Sequence, residues 1–214
     1  MQIDLHVLEL LASKLCHDLV SPISAINNGV ELINDIGGTV VDEAMSLIGN
    51  SADQASRRLR LFRLAYGRAG SEENLAVKDV RPVVEQYLTG GKVTLNWPEN
   101  APCEEFALHR GSLKTIVNLL ILAEELLAYG GTITVHTFEK NNKKGCRIEV
   151  AGRNAQMSSN LLGAMEDTLG MDELTPRNIQ AYITGKFATH FGLTIQHSQT
   201  TGDVLDMTLT IMAS

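Results

Sequence analysis

The chain has 214 residues, of which 44% are hydrophobic and 20% charged, as expected of a protein that folds around a sizeable core. Its net charge of −7 argues against general nucleic-acid binding, which depends on a positive surface that neutralises phosphates. Cys16, Cys103 and Cys146 form no C-x-x-C pair and predict neither a disulfide framework nor a zinc site, so we expect reduced thiols in a cytoplasmic protein with a protein partner.

The first seventy residues predict two antiparallel helices. Thr39 or Asp42, after the turn segment NDIGGT, is the expected cap of the second helix. That helix carries a heptad seam, which a two-helix hairpin does not bury fully, so we expect a homodimer that completes a four-helix bundle. The apolar stripe of the first helix is formed by Leu5, Leu8, Ala12, Leu15, Leu19, Ile23, Ile26, Val30 and Ile33, and the seam of the second by Met45, Ile48, Ala52, Ala55, Leu59, Phe62 and Tyr66.

The remainder of the chain predicts helices and strands that form an α/β sandwich after a linker at YGRAGSEEN. Helices are expected at 79–88, at 112–129 up to Gly130 and Gly131, and from the cap pair Thr175 and Pro176 to about His190. Expected strands are KVTLNW, FALH, the hairpin TITVHTF with CRIEV, and the hairpin LTIQHS with VLDMTLTIM. The predicted fold class is α+β, with a helical hairpin domain at 1–70 and an α/β sandwich domain at 75–214.

We expect neither a membrane helix nor a signal peptide. The most apolar run, TIVNLLILAEELLAYGG, is interrupted by Asn118, Glu124 and Glu125, and the N-terminus has no basic region. Five further histidines show no clustering that indicates a metal site: His6, His109, His136, His190 and His197.

The segment KLCHDLVSPISAINN, residues 14–28, places His17 and Asp18 one turn before Pro22. A proline inside a helix cannot donate to the carbonyl four residues earlier, here that of Asp18, and costs about 3 kcal/mol. We expect a kink at this position to aim the His17 side chain outward. An imidazole that is partly unprotonated near neutral pH can accept a phosphoryl group, and Asp18 is a candidate for orienting it.

The segment HDLVSPI resembles the H-box of histidine kinases, and a helical hairpin followed by a sandwich resembles their dimerisation and ATP-binding (GHKL, or Bergerat) domains. The nucleotide motifs depart from that pattern. Leu122 stands where the family has a metal-binding asparagine, and an aliphatic side chain cannot ligate Mg²⁺. Gly152 stands where the family has the adenine-binding aspartate, and no G-x-G occurs in the chain. We therefore expect a degenerate kinase fold that binds no ATP, in which Asn118 serves packing.

Together with RRLRLFRLAYG, these features resemble the ChpT histidine phosphotransferases of alphaproteobacteria, relay proteins of cell cycle regulation. The resemblance implies a dimer that is phosphorylated on His17 by the receiver domain of a hybrid kinase (CckA in that family). It also implies transfer of the phosphoryl group to receivers of response regulators such as CtrA and CpdR. The partner receiver would bring the Mg²⁺, so this chain would need no cofactor and no metal of its own.

Folding back about the turn near residue 38 places three arginines of the second helix, Arg57, Arg58 and Arg60, level with His17. They are candidates for contacts with phosphoryl oxygens or with an acidic receiver, and an ordinary solvated helix face is the alternative. Receiver docking is expected on the exposed side of the first helix, around Ser13, Lys14, Ser21, Ser24 and Asn28.

Two other functions remain open at the level of sequence. One is an active ATP-dependent histidine kinase, against which the missing nucleotide motifs argue. The other is a non-catalytic dimeric scaffold that holds receiver domains without transfer.

Overall fold

The helical hairpin is the first element of the structure, a computed structural model that describes residues 4–36, 41–71, 75–140 and 143–212. Helix α1 spans Leu5–Ile36 and helix α2 spans Val41–Ala65, as predicted. Part of the expected turn, with the candidate cap Thr39, lies outside the described residues. Asp42 is not the cap, because α2 already includes Val41.

The two helices approach closely at Gly29. A Cβ atom at this position would lie 2.6 Å from Cγ1 of Ile48, so the crossing leaves no room for a side chain. On α2 the buried residues include Ala44, Ala55 and Phe62, which face α1 or the rest of the chain. At its other end α1 buries Val7 in the same core as the sandwich, so the hairpin and the sandwich are packed together.

A second group of elements follows a 3₁₀ turn at Arg68–Ser71. Its helices are α3 (Val77–Leu88), α4 (Glu104–Ala107), α5 (Ser112–Leu126), α6 (Ser159–Met165) and α7 (Ile179–His190), with a 3₁₀ turn at Met171–Glu173. Its strands are β1 (Val93–Asn96), β2 (Gly131–Lys140), β3 (Lys143–Ala151), β4 (Leu193–Thr201) and β5 (Val204–Ile211).

The strands form one five-stranded sheet in the order β1-β2-β3-β5-β4. Strand β1 pairs with β2 in parallel, and the other neighbours pair antiparallel. Alternate residues of the central strands are fully buried, among them Ile133, Ile148 and Met207. Every residue of α5 from Ser112 to Ala123 is buried, as expected of the apolar helix between the sheet and the hairpin. The predicted α+β class, a helical hairpin with a sandwich, is confirmed.

Three predicted elements differ in the structure. FALH is not a strand: the N–H groups of Phe106 and Ala107 both donate to the carbonyl of Cys103, at 3.1 and 3.0 Å, and form the helical turn α4. Helix α7 begins at Ile179, because the backbone N–H of Thr175 donates to the Asn178 side chain at 2.7 Å in a turn that precedes the helix. Helix α5 ends at Leu126 rather than at the glycines.

Helix α6 was not predicted from the sequence. It has a side-chain cap, since the Ser158 hydroxyl accepts a hydrogen bond from the backbone N–H of Leu161 at 3.3 Å. Among the described residues, no helix combines the length and apolar character that crossing a membrane requires.

Candidate functional site

His17 lies on the surface of α1. Its side chain is 90% exposed, and its Nδ1 atom lies 3.4 Å from Oδ1 of Asp18. Neighbouring side chains on a helix do not normally face each other, so this contact depends on how the Asp18 side chain is held. The imidazole is therefore open to a partner, with a carboxylate at one of its two nitrogens.

The carbonyl that Pro22 leaves without a helical partner is bonded from α2. Nη1 of Arg58 donates to the backbone oxygen of Asp18 at 2.7 Å. A charged donor thus replaces the hydrogen bond that an ordinary residue at position 22 would have supplied. The backbone turn after His17 is fixed by the second helix of the hairpin.

The carboxylate of Asp18 is held by Lys14, one turn earlier. Nζ of Lys14 lies 3.6 Å from Oδ2 of Asp18 and donates to Oε1 of Glu125 in α5 at 2.5 Å. Burial alone would lower the pKa of Lys14, but the Glu125 and Asp18 carboxylates outweigh it and leave that pKa raised. The prediction that Lys14 lies on the exposed docking side is wrong: its side chain is only 13% exposed and is engaged in these two ion pairs.

Two acidic residues of α5 face this region from the sandwich. Burial raises the pKa of Glu125 against the opposing charge of Lys14. Burial also raises the pKa of Glu124, which the Arg58 and Lys14 cations oppose. In the sequence, both residues are recognisable only as interruptions of an apolar run. The pairing of Glu125 with Lys14 could not be predicted, because the two residues are 111 positions apart and neither local pattern indicates the other.

The three candidate arginines have different surroundings. Arg58 contacts the His17 turn, as described above. Nη2 of Arg57 lies 3.9 Å from Oδ2 of Asp53, and Nη1 of Arg60 donates to Gln86 at 3.4 Å. Arg57 and Arg58 also line a cleft of about 370 Å³ between α2 and the α3–β1 loop. Only one of the three therefore reaches the backbone next to His17.

The other predicted docking residues share the exposed side of α1 with His17. Ser13, Ser21, Ser24 and Asn28 are all exposed. With His17 they follow steps of four, four, three and four, which place them on one helix face. This face is continuous along about four turns of α1.

Leu122 and Gly152, which stand where the histidine kinases have nucleotide-binding residues, have packing roles here. Leu122 is fully buried. A Cβ atom at Gly152 would lie 2.6 Å from the Gly130 carbonyl oxygen, so the backbone there has no room for an aspartate. Neither residue carries an oxygen on its side chain that could bind Mg²⁺ or accept from adenine. Among the described residues there is also no group of three or more His, Cys, Asp or Glu side chains placed to hold a metal ion.

Asn118 links the hairpin to the sandwich. Its Nδ2 donates to the Ala65 carbonyl at 2.9 Å, and its Oδ1 accepts from Nε2 of Gln180 at 3.1 Å. The hydroxyl of Tyr66 in turn donates to Oε1 of Gln180 at 2.5 Å. This Tyr66–Gln180–Asn118 network is consistent with the expected packing role of Asn118.

Comparisons with known proteins identify the family of this chain. A family model described as the histidine phosphotransferase C-terminal domain matches residues 77–203. The chain is 30% identical over 197 residues to the protein phosphotransferase ChpT of Brucella abortus (strain 2308), covering 92% of this chain and 91% of that protein. A bacterial phosphotransferase structure solved at 1.7 Å aligns with a TM-score of 0.77 at 27% identity and covers 98% of both chains. By sequence and by fold, the chain belongs to the histidine phosphotransferase family.

Proposed function

We propose that this protein is a phosphorelay intermediate that carries a phosphoryl group on His17. The group would arrive from the aspartyl phosphate of a receiver domain in a CckA-like hybrid histidine kinase. It would leave to the receiver aspartate of response regulators similar to CtrA and CpdR. The observation that carries the proposal is the 90% exposure of the His17 side chain beside a fixed backbone turn, and the name of the Brucella relative supports it.

The proposed transfer needs few groups from this chain. The lone pair of Nε2 attacks the phosphorus, an N–P bond forms, and the P–O bond to the receiver aspartate breaks with its electron pair returning to that carboxylate. The receiver brings Mg²⁺ to this reaction. Because such transfer depends mainly on positioning and charge stabilisation, an exposed and correctly oriented imidazole is sufficient here.

Asp18 would act on the second ring nitrogen. A carboxylate that accepts from Nδ1–H keeps Nε2 unprotonated and available for attack. After the N–P bond forms, the ring with its Nδ1 proton carries positive charge, which the same carboxylate stabilises. The 3.4 Å separation is long for a hydrogen bond, and such contacts commonly shorten when the reacting partner is bound.

We further propose a homodimer in which two hairpins form a four-helix bundle. Met45 and Leu59 are 57% and 55% exposed, and with the exposed Ala52 they repeat every seven residues along α2. Exposed Ile23 and Val30 repeat at the same interval on α1. Apolar side chains at heptad spacing are typical of a helix surface that packs against further helices.

The central test mixes the full chain with a phosphorylated receiver domain and Mg²⁺ and follows acid-labile, base-stable phosphate. Wild type is expected to acquire the label and His17→Ala to acquire none, with unchanged folding because the side chain is exposed. Cys16→Ala, a change at another exposed side chain next to His17, is the matched control and should retain labelling. Receiver binding without labelling of the wild type would support a scaffold instead.

An assay with ATP tests the remaining alternative, an active ATP-dependent histidine kinase. Because Leu122 and Gly152 lack the side-chain groups that hold Mg²⁺ and adenine in the kinases, we expect labelled ATP alone to place no phosphate on His17. Labelling from ATP that is lost in His17→Ala would show an active kinase and refute the relay proposal.

A further inference from the structure

A chain of charged side chains runs from the sandwich to His17. It starts at Glu125 in α5, passes through Lys14 and Asp18 on α1, and ends at Nδ1 of His17, with successive separations of 2.5, 3.6 and 3.4 Å. The exposed fractions of the first three side chains are 28%, 13% and 24%, against 90% for His17. This row of charged side chains is therefore partly buried at Glu125, Lys14 and Asp18 and exposed to solvent at the imidazole of His17.

The position of Lys14 decides where the Asp18 carboxylate can point. Lys14 lies between two carboxylates and makes its shorter contact with Glu125, at 2.5 Å, and its longer one with Asp18, at 3.6 Å. An ammonium group shared in this way leaves the other Asp18 oxygen directed at His17. Without Glu125, the full charge of Lys14 would attract Asp18 and compete with the imidazole.

Other charged and titratable groups surround this chain and stay constant in the comparison below. Arg58 is bound to the backbone oxygen of Asp18, not to its carboxylate. Glu124, Tyr87 and Tyr66 also lie close to this chain; burial and the neighbouring carboxylates raise the pKa of both tyrosines, so their hydroxyls are neutral here. Of the α5 acids, Glu125 makes the direct contact with Lys14.

We propose that Glu125 and Lys14 are positioning residues for phosphotransfer, which hold the Asp18 carboxylate against Nδ1 of His17. This inference rests on the proposed function. In this proposal the sandwich contributes to phosphotransfer without binding a nucleotide. It sets the orientation and the tautomer of His17 through the ion pair between Glu125 and Lys14. Neither residue contacts the phosphoryl group.

The test compares Glu125→Gln with Glu105→Gln. Glu105 also belongs to an ion pair of the sandwich, with Lys144, but that pair is exposed and has no hydrogen bond or ion pair with Glu125, Lys14 or Asp18. Initial rates of phosphoryl transfer from a phosphorylated receiver are measured over a range of receiver concentrations. For Glu125→Gln we expect the maximal rate to fall roughly tenfold and the half-saturating receiver concentration to change less than twofold. Glu105→Gln should match the wild type in both.

A spectroscopic measurement separates positioning from loss of structure. Nitrogen NMR of labelled His17 reports which ring nitrogen carries the proton. Wild type and Glu105→Gln are expected to favour the Nδ1–H tautomer, and Glu125→Gln and Lys14→Gln to shift toward Nε2–H. Lys14→Gln serves as an independent variant if Glu125→Gln does not fold.

The exchanged pair Lys14→Glu with Glu125→Lys gives a further distinction. It restores an ion pair between α1 and α5, so a merely structural role predicts full recovery of transfer. Our proposal predicts no recovery, because a glutamate at position 14 repels Asp18. Recovery in the exchanged pair, or a maximal rate and tautomer in Glu125→Gln equal to those of the wild type, would overturn the inference. Absence of label on His17 in the wild type would instead refute the proposed function itself.

Discussion

At the scale of single residues, Pro22 and Arg58 have complementary effects on one backbone carbonyl, that of Asp18. The proline removes one backbone hydrogen bond of α1, and the guanidinium of α2 supplies another to the same Asp18 oxygen, at 2.7 Å. From the sequence we predicted both the missing bond and the level of Arg58, because both follow from helix geometry. Their direct contact was not predicted, because it depends on how α2 is rotated about its axis.

Arg58→Ala is expected to lower the free energy of unfolding by about 1–3 kcal/mol, since it leaves the Asp18 carbonyl without its charged donor. In a Pro22→Ala background the loss should be smaller, because the restored N–H can donate to that carbonyl. A double-mutant cycle by urea unfolding measures the difference. Arg57→Ala is the control, because Arg57 is on the same helix but pairs with Asp53 instead. An equal loss of unfolding free energy for Arg58→Ala in the wild-type and Pro22→Ala backgrounds would contradict this account.

Lys114 provides a prediction about pH. It is buried, donates to the Gly67 carbonyl at 2.5 Å and lies 4.6 Å from the Phe187 ring centroid. Burial lowers the pKa of Lys114 to about 8. Between pH 8 and the ordinary lysine value of 10.5, the unfolded chain therefore binds a proton that the folded chain has released, so the free energy of unfolding should rise with pH.

The gain attributable to Lys114 over this range should be roughly 3 kcal/mol, because one pKa unit corresponds to about 1.4 kcal/mol. Denaturant unfolding of the wild type and of Lys114→Met at several pH values isolates it, because every other titrating group is common to both. The difference between the two proteins should change above pH 8 and stay constant below it. A difference that is constant throughout would show that the charge of Lys114 is not affected by folding.

At the scale of elements, periodicity predicted the long helices and the paired strands well. Regular apolar spacing over α1 and α2, and alternation in β2, β3 and β5, reflect burial of one face, which the sequence records directly. Short elements were predicted less well. In α4, four residues are too few to show a period, and a single buried Phe106 is compatible with a strand or a turn.

The proposed dimer is tested on α2. Leu59→Glu places a charge on the exposed heptad edge and should shift the chain from dimer to monomer in sedimentation experiments, with helix content retained. Leu47→Glu is the matched control, because Leu47 is also exposed, at 38%, but lies off the Met45–Ala52–Leu59 edge. A wild type that is monomeric at micromolar concentration, or equal effects of the two substitutions, would argue against this bundle.

At the scale of the whole molecule, contacts between distant segments are what the sequence did not reveal. Val7 is buried with sandwich residues, and Lys14 pairs with Glu125. Local patterns predicted His17 and its exposed face, since both lie within α1. The surroundings of Asp18 come from α2 and α5, and no local pattern records which side chain will meet which.

The Tyr66–Gln180–Asn118 network should contribute measurably to the joint between hairpin and sandwich. Gln180→Ala leaves the partly buried Tyr66 hydroxyl and the buried side-chain oxygen of Asn118 without this partner and should lower the free energy of unfolding by about 1–3 kcal/mol. Hydrogen exchange should become faster in α7 and at the end of α2 before it changes in the central strands. Gln196→Ala, at an exposed position of β4, should change neither measurement.

The exposure of His17 has a consequence for timing. Because the His17 side chain is 90% exposed, this chain does not shield a group bound to the imidazole from water. If a phosphoryl group is carried there, its lifetime between two encounters is set by spontaneous hydrolysis, and enclosure comes from the visiting protein alone. Such a carrier performs best when donor and acceptor are abundant nearby, so its throughput should follow their concentrations.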